Sequence, residues 1–299
     1  MGFMSASLYY EANCTLGEGI SYDHRSDSVI WVDIKDQTLY ILGSDRKSIT
    51  KHRMPAMVSF VCLSTHGRYI VGLQTGLYSY DPKSGHLKAI YPTKEHPNQG
   101  LHWNVGKCSP HGDIWAGTMR IEASISDQGT LYRLKRSGDV TQVISNDGVF
   151  HSICWHEDLH RVYMIVKSTR QILVYTYKED TPTDIRLERV IDLPPALGYP
   201  AGVTIDEDGM LWIAHWDGGC VARWHPETGQ LINKIEVPVP LITSCTFGGP
   251  DKSRLFVSTA RSGLSDSQLK KYPLSGSIFV IDTITHGLEA TVYQSADHL

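Results

Sequence analysis

The sequence predicts an all-β chain folded as a six-bladed β-propeller, and three observations carry that reading. One short pattern recurs six times: an apolar strand, a polar turn, then a second strand with an aromatic or large aliphatic residue near its start. The landmarks of the second strands, Trp31, Ile70, Trp115, Tyr163, Trp212 and Phe256, lie 39, 45, 48, 49 and 44 positions apart. No stretch shows the apolar period of a helix. A repeat of about 40 to 50 residues made of several strands is the signature of propeller blades, with a β-sandwich as the alternative.

Taken in order, the second strands read VIWVDI, RYIVGL, DIWAGT, VYMIVK, LWIAHW and LFVSTA. Each is preceded by a string of small polar residues that suit a hairpin turn: DHRSD, STHG, SPHG, HEDLH, DEDG and GGPDKS. Each is followed by a third alternating strand, such as TLYIL, GLYSYD, TLYRL, ILVYTY, CVARW or SIFVID. Residues 1–299 therefore form a single propeller domain.

Successive strands of a blade run in opposite directions, so the start of a first strand and the end of the second share a face. The starts contain Glu18, Asn104, His151 and Ala201, and the ends contain Glu122, Val166, Lys167, His215 and Trp216. These residues are expected to ring one mouth of the central tunnel, where a small-molecule pocket forms. The hairpin turns belong to the opposite face.

Composition excludes several classes. With 41% hydrophobic and 20% charged residues and a net charge of −4, the chain has no basic patch for nucleic acid or an anionic membrane. No run approaches the roughly 20 apolar residues of a membrane span, and the first residues lack a signal-peptide pattern. The six cysteines are scattered without a CxxC pair, which suits free thiols and a cytoplasmic location. His156-Glu157-Asp158-Leu159-His160 matches the HExxH zinc signature, but it falls in a five-residue turn and cannot supply the required helix. Asp206-Glu207-Asp208-Gly209 reads as a structural turn, because the later ligands of a calcium loop are missing.

Ordered motifs from Leu16 to Asp282 resemble the senescence marker protein, gluconolactonase and regucalcin family. They are Leu16-Gly17-Glu18-Gly19, Trp31-Val32-Asp33-Ile34, Gly106-Lys107-Cys108 with Trp115-Ala116-Gly117-Thr118-Met119, Leu211 to Trp216 with Gly218-Gly219, and Thr243 to Gly249. The resemblance implies a six-bladed propeller that hydrolyses sugar lactones and related esters with one divalent metal. It implies a metal held by the Glu of GEG, an Asn of SNG and the Asp of PDG, with RxND and a Glu after GTM lining the pocket.

Glu18 matches the first ligand, Asn104 the Asn of RxND and Glu122 the Glu after GTM. The remaining positions depart. His151 stands where the family has the SNG Asn, Ala201 where it has the PDG Asp, and His102 and Val105 replace the Arg and Asp of RxND. Val166-Lys167 replaces an Asp-Ser pair. A methyl group at 201 neither coordinates a hard cation nor accepts a proton from water. Glu18, His151 and Asn104 remain as a weak ligand set for calcium or zinc.

The departures gather at the tunnel mouth while the blades keep the family pattern, which points to a repurposed pocket, natural or designed. In that pocket Lys167 is a candidate amine nucleophile, because burial lowers a lysine pKa. Strand alternation alone leaves open whether Lys167 or Val166 faces the tunnel. His151 is a candidate general base with Glu122 or Glu18 as partner. His102, Trp103, Asn104, Val105, Phe150, Val166, Ala201 and Trp216 are the expected substrate contacts, on a carbonyl-containing or aromatic small molecule. Three readings stay open: this remodelled enzyme, a metal-dependent lactone or ester hydrolase, and a propeller that binds without turnover.

Overall fold

A computed structural model describes residues 4–92, 101–120, 129–145, 149–178 and 181–295. Among the described residues the strands form six four-stranded antiparallel sheets. The innermost strands are Gly17–Asp23, Val58–Leu63, Leu101–Cys108, Phe150–His156, Tyr199–Ile205 and Ile242–Gly248. Blades one to six follow in that order, and the six expected landmarks all fall on second strands. Among the described residues one α-helix occurs, Asp266–Lys271, a six-residue insertion in blade six capped by reciprocal Ser265 and Gln268 bonds. Its brevity explains why no helical period was legible.

Burial is greatest along the second strands and falls toward the outer edge, which is what the apolar pattern of each strand encodes. Second strands such as Ser28–Asp33 and Tyr69–Leu73 are buried along their length, because neighbouring blades cover both faces. Outer strands such as Gln230–Glu236 are mostly exposed. Six apolar clusters fill the structure, one at each interface between neighbouring blades. The ring closes because Ala6–Tyr10 pairs with Ile278–Asp282, adding the chain's first strand to the edge of its last sheet.

Close approach of the inner strands demands small residues. The Phe60 ring sits between the backbones of Gly72 and Gly106, and a β-carbon at either would lie 2.2 Å from it. At the turn face, buried Asp206 accepts hydrogen bonds from the Asp208 and Met210 amides, the Trp212 indole and the Arg223 guanidinium. The Asp206–Gly209 segment is thus a turn, as the sequence indicates, and residues 157–160 form the hairpin turn that excludes an HExxH helix. After blade six the chain crosses this face as a strap. It bridges Asp206 at Gly287 and then lies against Ser64 of blade two at Tyr293, whose hydroxyl donates to the Lys135 carbonyl.

Replacing Asp206 with Ala leaves the partly buried Arg223 guanidinium with Asp208 alone and removes the acceptor of three other donors, and is expected to cost about 3–5 kcal/mol. Asp208→Ala, at an exposed carboxylate, is expected to cost less than about 1 kcal/mol. Urea denaturation of the two variants checks the contrast, and equal losses would refute the role given to Asp206.

Candidate functional site at the tunnel mouth

Strand register brings the predicted segments to one end of the tunnel. Glu18 pairs with Val32, Leu101 with Arg120, Phe150 with Val166, and Tyr199 with Trp216. From this mouth a cavity of about 370 Å³ runs down the axis, with Glu18, Asn104, Val105 and His151 in its wall. Strap residues Leu288, Glu289, Ala290 and Thr291 line the far end.

Glu18 looks into the narrow tunnel and is otherwise enclosed, so burial pushes its carboxyl pKa up to about 7. The charge of Lys167 and the Gly19 amide, which donates to Glu18 at 3.2 Å, oppose that rise. Lys167 is held below the usual lysine range by burial, with Glu18 acting in the other direction. Its ammonium lies 4.3 Å from the centre of the Trp216 ring, where the π-face favours the charged form. Lys167 and Glu18 are therefore within electrostatic reach of each other at the mouth, without forming a direct ion pair. Val166 takes the opposite side of the strand and is buried with Phe150 and Trp115 between blades three and four.

The other predicted residues divide the same way. Asn104 donates its amide hydrogen to the Phe150 carbonyl at 2.9 Å, tying blade three to blade four. His151 Nδ1 lies 3.1 Å from the Val149 carbonyl, which makes Nδ1 the protonated nitrogen and Nε2 the basic one. His102 is partly buried with its pKa lowered by burial, and its Nδ1 has no hydrogen-bond partner among the described residues. Ala201 is buried within an irregular stretch of its strand between Pro200 and Val203.

Two aromatic residues expected as pocket walls are core instead. Trp103 is fully buried between blades two and three, edge-on to Tyr132, and Phe150 is buried between blades three and four. Both face sideways into a neighbouring blade, because side chains of an inner strand alternate about the blade sheet. Glu122 lies outside the described residues. Sequence reasoning overlooked Lys107, which lines the cavity together with Ser59, Ser152 and Ser244. The signal was present: Lys107 lies two positions beyond Val105 on one strand, and so on the same side of it.

Six blades around a tunnel, with titratable side chains gathered at one mouth, define a β-propeller of the lactonase architecture. The chain belongs to the SMP-30/gluconolactonase/LRE-like family, whose model matches residues 16–261. It is 30% identical to regucalcin of Macaca fascicularis over 275 residues, covering 90% of this chain and 91% of the relative. Its fold superposes on a luciferin-regenerating enzyme with a TM-score of 0.89, at 27% identity over 98% of this chain and 100% of the other. A calcium-binding regucalcin from Agrobacterium tumefaciens gives a TM-score of 0.88, at 26% identity over 97% of both chains.

The family is associated with metal, but the donors described here do not fit a divalent cation. Among the described residues no three His, Cys, Asp or Glu side chains are grouped to hold one. Calcium takes six to eight oxygen ligands, and among the described residues this mouth offers the Glu18 carboxylate and the Asn104 side-chain carbonyl, with a methyl at Ala201. Lys167 also places positive charge beside Glu18, which repels a second cation.

Because Lys167 lowers the Glu18 pKa, Lys167→Met is expected to move the Glu18 titration above its starting value of about 7. Carboxyl chemical shifts followed against pH read this directly. An unchanged midpoint would show that the two groups do not interact.

Proposed function

We propose that this chain hydrolyses a small lactone or ester at the tunnel mouth, with the Lys167 ammonium standing where relatives use a metal ion. The observation that carries the reading is the Glu18–Lys167 pair. It sets a carboxylate with a pKa of about 7 within electrostatic reach of a cation held over the Trp216 ring. Family membership supplies the substrate class, a sugar lactone or related cyclic ester.

The chemistry follows from the two charges. Ionised Glu18 accepts a proton from water as the water oxygen attacks the lactone carbonyl carbon. The carbonyl oxygen becomes an oxyanion, stabilised by the Lys167 ammonium in a site largely closed to solvent. When the tetrahedral intermediate collapses, the ring C–O bond breaks and the leaving alkoxide takes the proton from Glu18. One water is consumed and one hydroxy acid is formed. His151, with Nε2 as its basic nitrogen, and Asn104 orient the substrate across the tunnel.

Hydrolysis of a set of sugar lactones and aryl esters tests the proposal. The rate is expected to rise with pH through about 7, because the active form is ionised Glu18. Glu18→Gln should lower kcat by about 10²–10⁴-fold and Lys167→Met by about 10²–10³-fold. A chelator should change neither wild-type rate nor profile. Activity abolished by chelation and restored by calcium or zinc would overturn the metal-free reading, and no turnover on any substrate would leave a binding propeller.

One observation favours a second reading, because the depressed Lys167 pKa also suits an amine nucleophile. Borohydride reduction with an aldehyde or ketone ligand separates the two. A covalent adduct on Lys167 supports the amine route, and an unlabelled Lys167 supports the oxyanion route.

A further inference from the structure

Below the mouth the tunnel contains a second cation. Lys107 follows Gly106, whose missing side chain admits the Phe60 ring, and its side chain lines the same cavity. The register sets its level. Lys107 pairs with the landmark Trp115, as Cys62 does with Ile70, Cys154 with Tyr163, Thr204 with Trp212 and Thr246 with Phe256. All five of these first-strand residues line the cavity, so they form one layer around the axis. Three residues of extended strand separate Lys107 from Asn104, which places this layer about 10 Å further down.

Among the described residues no carboxylate forms an ion pair with this ammonium, while Glu18, Glu157 and Glu289 line the same cavity at other levels. No hydrogen bond or ion pair of Lys107 is present, and its electrostatic partners are the buried thiols of Cys62, Cys154 and Cys245. Burial raises each of those thiols to about 12, so they stay protonated at neutral pH and carry no negative charge. The adjoining cavity wall carries hydroxyl groups on Ser59, Ser152, Ser244, Thr204 and Thr246. The Ser152 oxygen already accepts the Val203 amide at 2.9 Å, which leaves its O–H to donate. An ammonium beside O–H and S–H donors, with no carboxylate in ion-pair contact, is arranged for negative charge.

We infer that the central tunnel holds a small monovalent anion at Lys107, beneath the catalytic mouth and independent of its activity. The strap lines the far end, and Glu18 and His151 line the other. Two sources carry the required chemistry: a halide from solution, or the carboxylate group of a small organic acid. A multivalent anion is disfavoured, because one ammonium must balance the charge at a site removed from bulk water.

Crystals soaked in sodium bromide test the inference directly, by anomalous scattering from bromide. Melting temperatures are measured in parallel with bromide and with acetate, on the wild type, Lys107→Met and Lys107→Arg. The expected result is a bromide peak in contact with Lys107 Nζ. Melting temperature should rise saturably with at least one anion, be retained in Lys107→Arg and be lost in Lys107→Met. Saturation by bromide alone identifies a halide site, and saturation by acetate identifies a carboxylate site. Absence of a bromide peak together with identical salt responses in wild type and Lys107→Met would overturn the proposal. The crystal experiment needs no variant, so it stands even if Lys107→Met does not fold.

Discussion

Everything in this molecule depends on packing blade against blade. A four-stranded sheet with two apolar faces cannot bury either alone, and each of the six clusters draws its residues from two adjacent blades. Stability is therefore a property of the closed ring, and pairing of Ala6–Tyr10 with Ile278–Asp282 locks it. Closure also creates the tunnel. Six inner strands facing a common axis leave a space that their side chains must either fill or use.

Strand direction then gives the two ends different work. Strand starts and ends meet at one mouth, where backbone irregularities between Glu18 and Ser21, Trp103 and Val105, and Phe150 and Ser152 re-aim side chains inward. Tight hairpins meet at the other face, where buried Asp206 organises its turn and the strap crosses the axis. Glu18, His151 and Lys167 thus collect at the end where strands start, and the Asp206 network and the strap organise the other. The Glu18–Lys167 pair inherits its raised carboxyl pKa from the same enclosure that buries the blades.

The fold was legible because a repeat multiplies a weak strand signal six times, and every landmark from Trp31 to Phe256 lies on a second strand. The gathering of Glu18, Asn104 and His151 around one end of the tunnel was legible for the same reason, since face assignment needs only strand polarity. Side-chain direction was harder to read. Trp103 and Phe150 sit beside irregular register, where simple alternation fails, and they point into neighbouring blades. Between Val166 and Lys167 the sequence alone could not choose, and it took the proximity of Trp216 and Glu18 to distinguish them. Lys107 escaped notice because it sits inside a family-like motif, where a lysine looks ordinary until its neighbours around the axis are known.

The central claim is that a tethered ammonium beside Glu18 takes the place of a bound divalent ion. Calorimetric titration of calcium and of zinc into chelator-treated protein at neutral pH tests it most directly. The account predicts no saturable binding that depends on Glu18. One-to-one binding of either ion that disappears in Glu18→Gln would contradict it.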